Sequence, residues 1–174
     1  MRLNLNSQSL ILSLALPFLS FAEEAPQTSV STPTPAAVPQ EDAKSGEAAD
    51  PVNWFEIGER YYFGQGVIQD YNEAVSWYRK SAEVGYGPAQ KALGYMYAFG
   101  EGVDQNYEEA AHWYTLAAEQ GIAEAQNNLG TLYERGLGVP QDYAKALSWY
   151  EKAANQGLAL AQNNLGTLYQ TGRG

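Results

Sequence analysis

Residues 129–157 read LGTLYERGLGVPQDYAKALSWYEKAANQG, and this stretch decides the fold of the 174-residue chain. Leu129, Leu132 and Tyr133 recur with the spacing of one helix face. Gly136 then stands where a helix would stop, and Pro140 follows just beyond it. The pattern therefore predicts an amphipathic helix that ends at the glycine.

A second helix is predicted directly after that loop. Asp142 has the side chain of an N-cap, and the apolar positions after it again follow the 3.6-residue period until Gly157. The same signals stand at the start of the domain, where Asp50 precedes Pro51 in the form of an N-cap with proline at N1. Each unit is therefore expected to fold as helix A, a loop and helix B.

Two further helix starts carry a fuller signal. Asp70 with Glu73, and Asn106 with Glu109, have the spacing of a capping box. In that motif the cap side chain accepts from the third helical residue, whose own side chain returns a bond to the cap. We therefore expect helix B of the first two units to begin with reciprocal caps.

The unit recurs every 36 residues. Glycines mark its phase at Gly58, Gly94, Gly130 and Gly166, and a fixed period of this size indicates a stack of supersecondary units that pack on their neighbours. Glycine inside a helix costs about 1 kcal/mol relative to alanine, so four of them predict a close approach between helices A and B. The repeated Trp-Tyr pairs at 77–78, 113–114 and 149–150 are interpreted as packing residues.

Three complete units share these motifs in register: IGERYYFGQGVIQDYNEAVSWYRKSAEVG (57–85), LGYMYAFGEGVDQNYEEAAHWYTLAAEQG (93–121) and the stretch quoted first. They closely resemble the Sel1-like repeat family, which is related to tetratricopeptide repeats. The resemblance covers about residues 54–174, in repeats of about 54–90, 91–126, 127–162 and a partial 163–174. It implies an all-α fold over residues 51–174, a short right-handed α-solenoid of antiparallel helix pairs. Two explanations stay open for the partial unit, a natural cap or a fragment.

The N-terminal part has a different composition. Arg2, the apolar run 10–19, and small residues at Ser20 and Ala22 predict a signal peptide over residues 1–22. Residues 23–50 are rich in Pro, Ala, Thr and acids, too polar to offset ordering entropy, and predict a disordered linker. A periplasmic or secreted bacterial protein is expected, with no membrane insertion after cleavage.

Charge and cysteine content narrow the classes of partner. The chain has no cysteine, which leaves no disulfide, thiol chemistry or acylated lipoprotein cysteine. Residues 51–174 carry 8 basic and 14 acidic side chains, 8 − 14 = −6, with no basic cluster. Nucleic acid and anionic lipid are therefore not expected as partners.

No residue set predicts catalysis. The single histidine, His112, occupies a phase that holds Ser76 and Ser148 in the other units, so a surface position is expected. One histidine without cysteines leaves a zinc site short of its usual ligands. The Gly-x-Gly loops lack the preceding strand of a phosphate-binding motif and are interpreted as turns. We expect no catalytic residue, no metal, no cofactor, and a protein that is not an enzyme.

If the stack curves as related solenoids do, helix A lines the concave face and offers a groove to a partner. Aromatic residues in the first units suit apolar anchors, and Asn, Thr and Gln in the last suit hydrogen bonds to a peptide backbone. For Asn127 and Asn163 the alternative is a bond to an adjacent loop, and for Phe63 and Phe99 it is a place in the core. The candidate groove residues are Phe55, Glu59, Tyr62, Phe63, Lys91, Tyr95, Phe99, Asn127, Thr131, Glu134, Arg135, Asn163, Thr167 and Gln170.

The resulting hypothesis is an exported, non-enzymatic scaffold or adaptor that binds another protein or peptide. Two alternatives belong to other classes. One is a cell-wall-active or other hydrolase, and the other is a structural protein that self-associates through its terminal helix. Turnover of a cell-wall substrate would favour the first, and a mass that rises with concentration would favour the second.

Overall fold

The computed structural model describes residues 50–173; the predictions for residues 1–22 and 23–49 lie outside the described residues. Within residues 50–173 the chain forms seven α-helices and no β-strand. The predicted all-α solenoid of helix pairs is confirmed. The helices are α1 Pro51–Phe63, α2 Tyr71–Glu83, α3 Gly87–Phe99, α4 Tyr107–Glu119, α5 Ala123–Arg135, α6 Tyr143–Asn155 and α7 Ala159–Gln170.

The A helices are α1, α3, α5 and α7, and the B helices are α2, α4 and α6. Each complete A helix ends as the sequence predicted. Gly64, Gly100 and Gly136 are the C-caps of α1, α3 and α5 and have φ values of 69°, 71° and 67°. Glycine takes this left-handed conformation without the steric cost that a Cβ would impose.

The helix starts are capped by the expected side chains, but the capping boxes are only half formed. Asp70 Oδ1 accepts from the backbone N–H of Asn72 and Glu73 at 2.9 and 3.2 Å. The N–H of Asp70 donates to the carbonyl of Tyr61 at 3.0 Å, so it is not available to the Glu73 side chain. Asn106 repeats this arrangement. The prediction of reciprocal boxes was therefore wrong, because the A–B loop folds back and joins the cap to helix A.

The repeated in-helix glycines receive a tyrosine ring from helix B. A Cβ on Gly94 would lie 2.7 Å from Cδ1 of Tyr114, which is fully buried. Tyr78 and Tyr150 are buried in the same way against Gly58 and Gly130. The predicted close approach of the two helices is confirmed at these three glycines, where the ring is the group that comes nearest, but not at Gly166, which has no neighbour within 4 Å of a Cβ.

Neighbouring repeats are joined by polar contacts as well as by the core. Gln120 Nε2 donates to Gln90 Oε1 at 2.7 Å, and Gln90 Nε2 donates to the carbonyl of Ala82 at 3.1 Å. One repeat later, Gln156 donates to Gln126 at 2.8 Å. The bonds between glutamines stay within one unit, whereas Gln90 to Ala82, and likewise Gln126 Nε2 to the carbonyl of Ala118 at 3.1 Å, join an A helix to helix B of the preceding unit.

Candidate partner-binding surface

All the candidate groove residues lie on the A helices. Eleven of the fourteen form two regions, which we call the aromatic zone and the polar zone, and Phe55, Glu59 and Lys91 lie outside both. The aromatic zone consists of Tyr62 and Phe63 on α1 with Tyr95 and Phe99 on α3. The polar zone consists of candidates on α5 and α7, namely Asn127, Thr131, Glu134, Arg135, Asn163, Thr167 and Gln170.

The aromatic zone is a continuous set of ring contacts across two repeats. The Tyr62 ring centroid lies 4.8 Å from that of Phe63 and 6.5 Å from that of Tyr95, both edge to face. The Tyr95 and Phe99 rings are 4.5 Å apart. Phe63 stays 49% exposed while the other three are partly buried. Phe63 is therefore a surface residue rather than a core residue.

Phe55 lies apart from this zone. Its ring centroid is 5.6 Å from that of Tyr78 and 5.6 Å from that of Tyr86. These partners belong to α2 and to the turn that leads into α3. Phe55 is partly buried in this junction, so most of its contact area serves the packing of the first repeat.

Sequence reasoning missed two residues that border the aromatic zone. The Tyr71 ring centroid is 5.3 Å from that of Tyr62, and its hydroxyl accepts from Gln69 Nε2 at 3.1 Å. Tyr107 and Tyr143 repeat the phase of Tyr71, so the sequence holds no signal that sets Tyr71 apart. The second residue is Glu101, which directly follows the C-cap of α3. The residue type at this phase differs from repeat to repeat, and this signal was available in the sequence.

Two candidate carboxylates are engaged by buried tyrosines. The Tyr78 hydroxyl donates to Glu59 Oε1 at 2.5 Å, and the Tyr150 hydroxyl donates to Glu134 Oε2 at 2.7 Å. Burial raises the pKa of both tyrosines, and the adjacent carboxylates raise it further. Glu59 and Glu134 therefore satisfy polar groups of the core on one side while staying partly exposed on the other.

Asn127 and Thr131 were expected to face a groove, and the structure places their side chains inside. Asn127 is 1% exposed and accepts from Asn164 Nδ2 at 2.9 Å; Thr131 is 4% exposed and lies 3.0 Å from the Tyr150 hydroxyl. Asn127 is in contact with the next A helix, α7, and Thr131 with the B helix α6, which period and spacing alone did not reveal. The alternative of a bond from Asn127 to an adjacent loop was wrong as well, because its partner Asn164 lies within helix α7.

The remaining candidates differ in exposure. Asn163, Thr167 and Gln170 on α7 are exposed, whereas Lys91 and Arg135 are partly buried. The Thr167 hydroxyl donates to the carbonyl of Asn163 at 3.0 Å, within its own helix. The polar zone therefore presents its accessible amides mainly from α7.

Other residues considered for chemistry lie as surface or packing groups. His112 is exposed, and its ring centroid is 5.1 Å from that of Trp113 in an edge-to-face contact. Lys152 lies over the Trp149 ring at 3.8 Å, a cation–π contact on helix B. Among residues 50–173, no group of three His, Asp or Glu side chains is placed to hold a metal ion.

The helices are short and carry polar faces. None of the helices between residues 50 and 173 has the length and apolarity needed to cross a bilayer.

Comparisons with known proteins agree with this architecture. Residues 55–86, 87–122, 123–158 and 159–174 match the family model described as Sel1 repeat. A sequence comparison with curated proteins gave no match. Together the matched residues cover more than half of the chain, so the comparison bears on the whole helical part.

Solved structures are similar over the same region. The crystal structure of c5321, a protective antigen of uropathogenic Escherichia coli strains with an SLR fold, is 41% identical with a TM-score of 0.69; the match covers 71% of this chain and 26% of that one. A Sel1 repeat protein from Oxalobacter formigenes is 39% identical with a TM-score of 0.67, covering 71% and 50%. This chain therefore spans about a quarter and a half of those two proteins.

A third similar structure supports the fold alone. Helicobacter pylori cysteine rich protein B is 24% identical with a TM-score of 0.56, and the match covers 66% of this chain and 89% of that one. The present chain has no cysteine. The shared helical arrangement therefore does not require the feature for which that protein is named.

Proposed function

Since the chain belongs to the Sel1 repeat family, whose members are generally protein-interaction scaffolds, we propose that it is a non-enzymatic scaffold for a protein or peptide partner. The partner would bind to the A-helix surface, with the aromatic zone as its main anchor. Export by a signal peptide over residues 1–22 is part of the proposal, with function in the bacterial envelope or outside the cell.

The observation that carries this proposal is the exposed aromatic surface of α1 and α3. The family architecture does not need aromatics at these positions, because the corresponding residues in the third unit are Glu134 for Tyr62 and Arg135 for Phe63. A 49% exposed Phe63 in contact with Tyr62 leaves apolar area in water, at a cost of about 25 cal/mol per Å². Aromatic side chains of this kind are enriched at interaction hot spots.

The polar zone has a smaller place in the proposal. Asn127 and Thr131 are buried, so we leave them out of the contact surface. Asn163, Thr167 and Gln170 remain available to hydrogen-bond an extended segment of the partner. Glu134 and Arg135, the polar-zone residues at the end of α5, would be contacted at their exposed atoms.

Substitution of the aromatic zone tests the proposal. Phe63→Arg introduces the residue that the third unit holds at this phase, so the repeat fold is expected to accept it. Tyr62→Ala with Tyr95→Ala removes the centre of the zone. We expect either variant to reduce partner capture at least tenfold in crosslinking from the native host, at unchanged helicity by circular dichroism.

A matched control is Ile68→Ala, which removes an 81% exposed apolar side chain outside the zone. It should leave partner capture unchanged. Capture that survives Phe63→Arg and the double alanine variant would contradict binding through this surface. Turnover of a cell-wall substrate that stays with the purified chain would contradict the non-enzymatic scaffold. Mass spectrometry of the exported protein tests cleavage before Glu23.

A further inference from the structure

Glu101 is an acid that residues 50–173 satisfy only in part, because one of its two carboxylate oxygens has a partner and the other does not. Its Oε2 atom is buried and has no hydrogen-bond partner among these residues, although the residue as a whole is partly exposed. Removing a carboxylate oxygen from water without a donor is costly. The carboxyl group can rotate about its last side-chain bond, so either oxygen can be turned toward the surface.

The repeat architecture does not require an acid here. The corresponding positions hold Gln65 in the first unit, Leu137 in the third and Arg173 in the fourth. These three residues lie two or three positions after the end of an A helix, as Glu101 does, and none of them is negatively charged. The desolvated carboxylate is therefore a feature of the second unit and not of the fold.

The surroundings of Glu101 are the aromatic zone. The Tyr62 hydroxyl is hydrogen-bonded to its carboxylate, and the negative charge raises the pKa of the Tyr62 and Tyr95 hydroxyls, after the larger effect of burial on each. The same two rings contact Tyr71 at 5.3 Å and Phe99 at 4.5 Å, between centroids. An acid is thus surrounded by aromatic rings at the surface of α1 and α3.

A carboxylate surrounded by aromatic rings favours the binding of one class of chemical group, a guanidinium. A guanidinium stacks on aromatic faces and forms paired hydrogen bonds with a carboxylate, and it is more weakly hydrated than an ammonium. An apolar anchor would bury the Glu101 oxygen further without a donor, and an acidic anchor would be repelled. The charge of −6 on residues 51–174 attracts a basic segment over longer range.

We propose that Glu101, with the rings of Tyr62, Tyr95 and Phe99, is a recognition site for an arginine side chain of the partner. The proposal rests on the proposed function, because it names the residue type that the aromatic zone accepts. The guanidinium would pair with the Glu101 carboxylate and stack on the aromatic rings. The partner is therefore a protein or peptide with an exposed arginine in a basic or neutral segment.

The test compares two small probes on the isotope-labelled full chain by NMR. The probes are N-acetyl-arginine methylamide and N-acetyl-citrulline methylamide, which have nearly the same shape and differ in charge. We expect the arginine probe to cause saturable shifts at the amides of Tyr62, Tyr95 and Glu101. The citrulline probe should bind at least about tenfold more weakly, because its neutral urea group forms weaker hydrogen bonds with a carboxylate than a charged guanidinium does.

Two variants locate the effect. Glu101→Gln should reduce arginine binding about tenfold and remove the preference over citrulline. Glu119→Gln removes an exposed charge from α4 and should change neither quantity. If Glu101→Gln alters helicity, Glu101→Leu provides a second variant, since leucine stands at this phase in the third unit.

The outcomes separate this proposal from the one on which it rests. Equal binding of the two probes, or a preference that Glu101→Gln leaves intact, would overturn the arginine site. Shifts that spread over the acidic surface and fall equally in Glu119→Gln would overturn it as well. Partner capture that is lost in Phe63→Arg but kept in Glu101→Gln would support the scaffold and contradict the arginine site.

Discussion

The aromatic zone and the polar zone occupy the same helices of successive repeats, yet they use their side chains differently. On α1 and α3, rings contact one another and Phe63 remains exposed. On α5, Asn127 and Thr131 have been drawn into the fold by hydrogen bonds. Residues at the same position of successive repeats can therefore differ in exposure, because side-chain size and hydrogen bonding decide whether a residue can be covered.

Beneath both zones each complete unit buries one tyrosine, and each of the three belongs to its own apolar cluster. Burial raises the pKa of Tyr78, Tyr114 and Tyr150 above the ordinary value near 10. The neutral hydroxyl is therefore favoured in the folded state, so this stability is present below pH 10 and is lost as pH rises above it. One pH unit above 10, each buried tyrosine should cost about 1.4 kcal/mol.

If the three units unfold together, all three tyrosines should ionise in one cooperative unfolding transition. Absorbance of tyrosinate and circular dichroism, followed together from pH 9 to 12, measure this. Separate transitions in tyrosinate absorbance and in circular dichroism would show that the units unfold independently.

A larger residue at the repeated glycine should distinguish an inner repeat from the last helix. In Gly94→Ala the new Cβ meets the Tyr114 ring, and overpacking should destabilise by about 1–3 kcal/mol. At Gly166 nothing lies within 4 Å of the position that a Cβ would take, so Gly166→Ala should stabilise α7 by up to about 1 kcal/mol. Urea unfolding of both variants checks the opposite signs, and equal signs would contradict the packing argument.

Removal of the buried tyrosine hydroxyls should destabilise the three units by different amounts, depending on the hydrogen-bond partner of each hydroxyl. Tyr78→Phe and Tyr150→Phe lose bonds to carboxylates and should cost about 1.5–3 kcal/mol. The Tyr114 hydroxyl has no hydrogen-bond partner among residues 50–173, so Tyr114→Phe should be within about 0.5 kcal/mol of the parent. Thermal or urea denaturation measures the series, with Tyr114→Phe as its internal control.

The smallest effect should come from the two asparagines of one phase. Asn127→Ala removes the acceptor of the Asn164 amide and should cost about 1 kcal/mol. Asn163→Ala changes an exposed residue and should stay within about 0.5 kcal/mol. Equal losses in urea unfolding would mean that burial does not distinguish these positions.

Much of the fold was predictable because its signals are local. The caps at Asp50 and Asp70, the stops at Gly64 and Gly136, and the apolar face of each helix depend on neighbouring residues only. The candidate surface was less predictable. Tyr71 joins the aromatic zone from helix B of the first unit and Glu101 from the loop of the second unit, and only tertiary packing brings them beside Tyr62.

By itself, the sequence determined the helix pair, its 36-residue period and the family. Short-range hydrogen bonding and the spacing of apolar residues were sufficient for this. The tertiary structure alone decided which face residues remain available. Asn127 and Asn163 share a phase, but Asn127 is covered by α7 through Asn164, whereas Asn163 lies on α7 itself and is exposed. Exposure depends on neighbours far away in sequence, so no local pattern contains it.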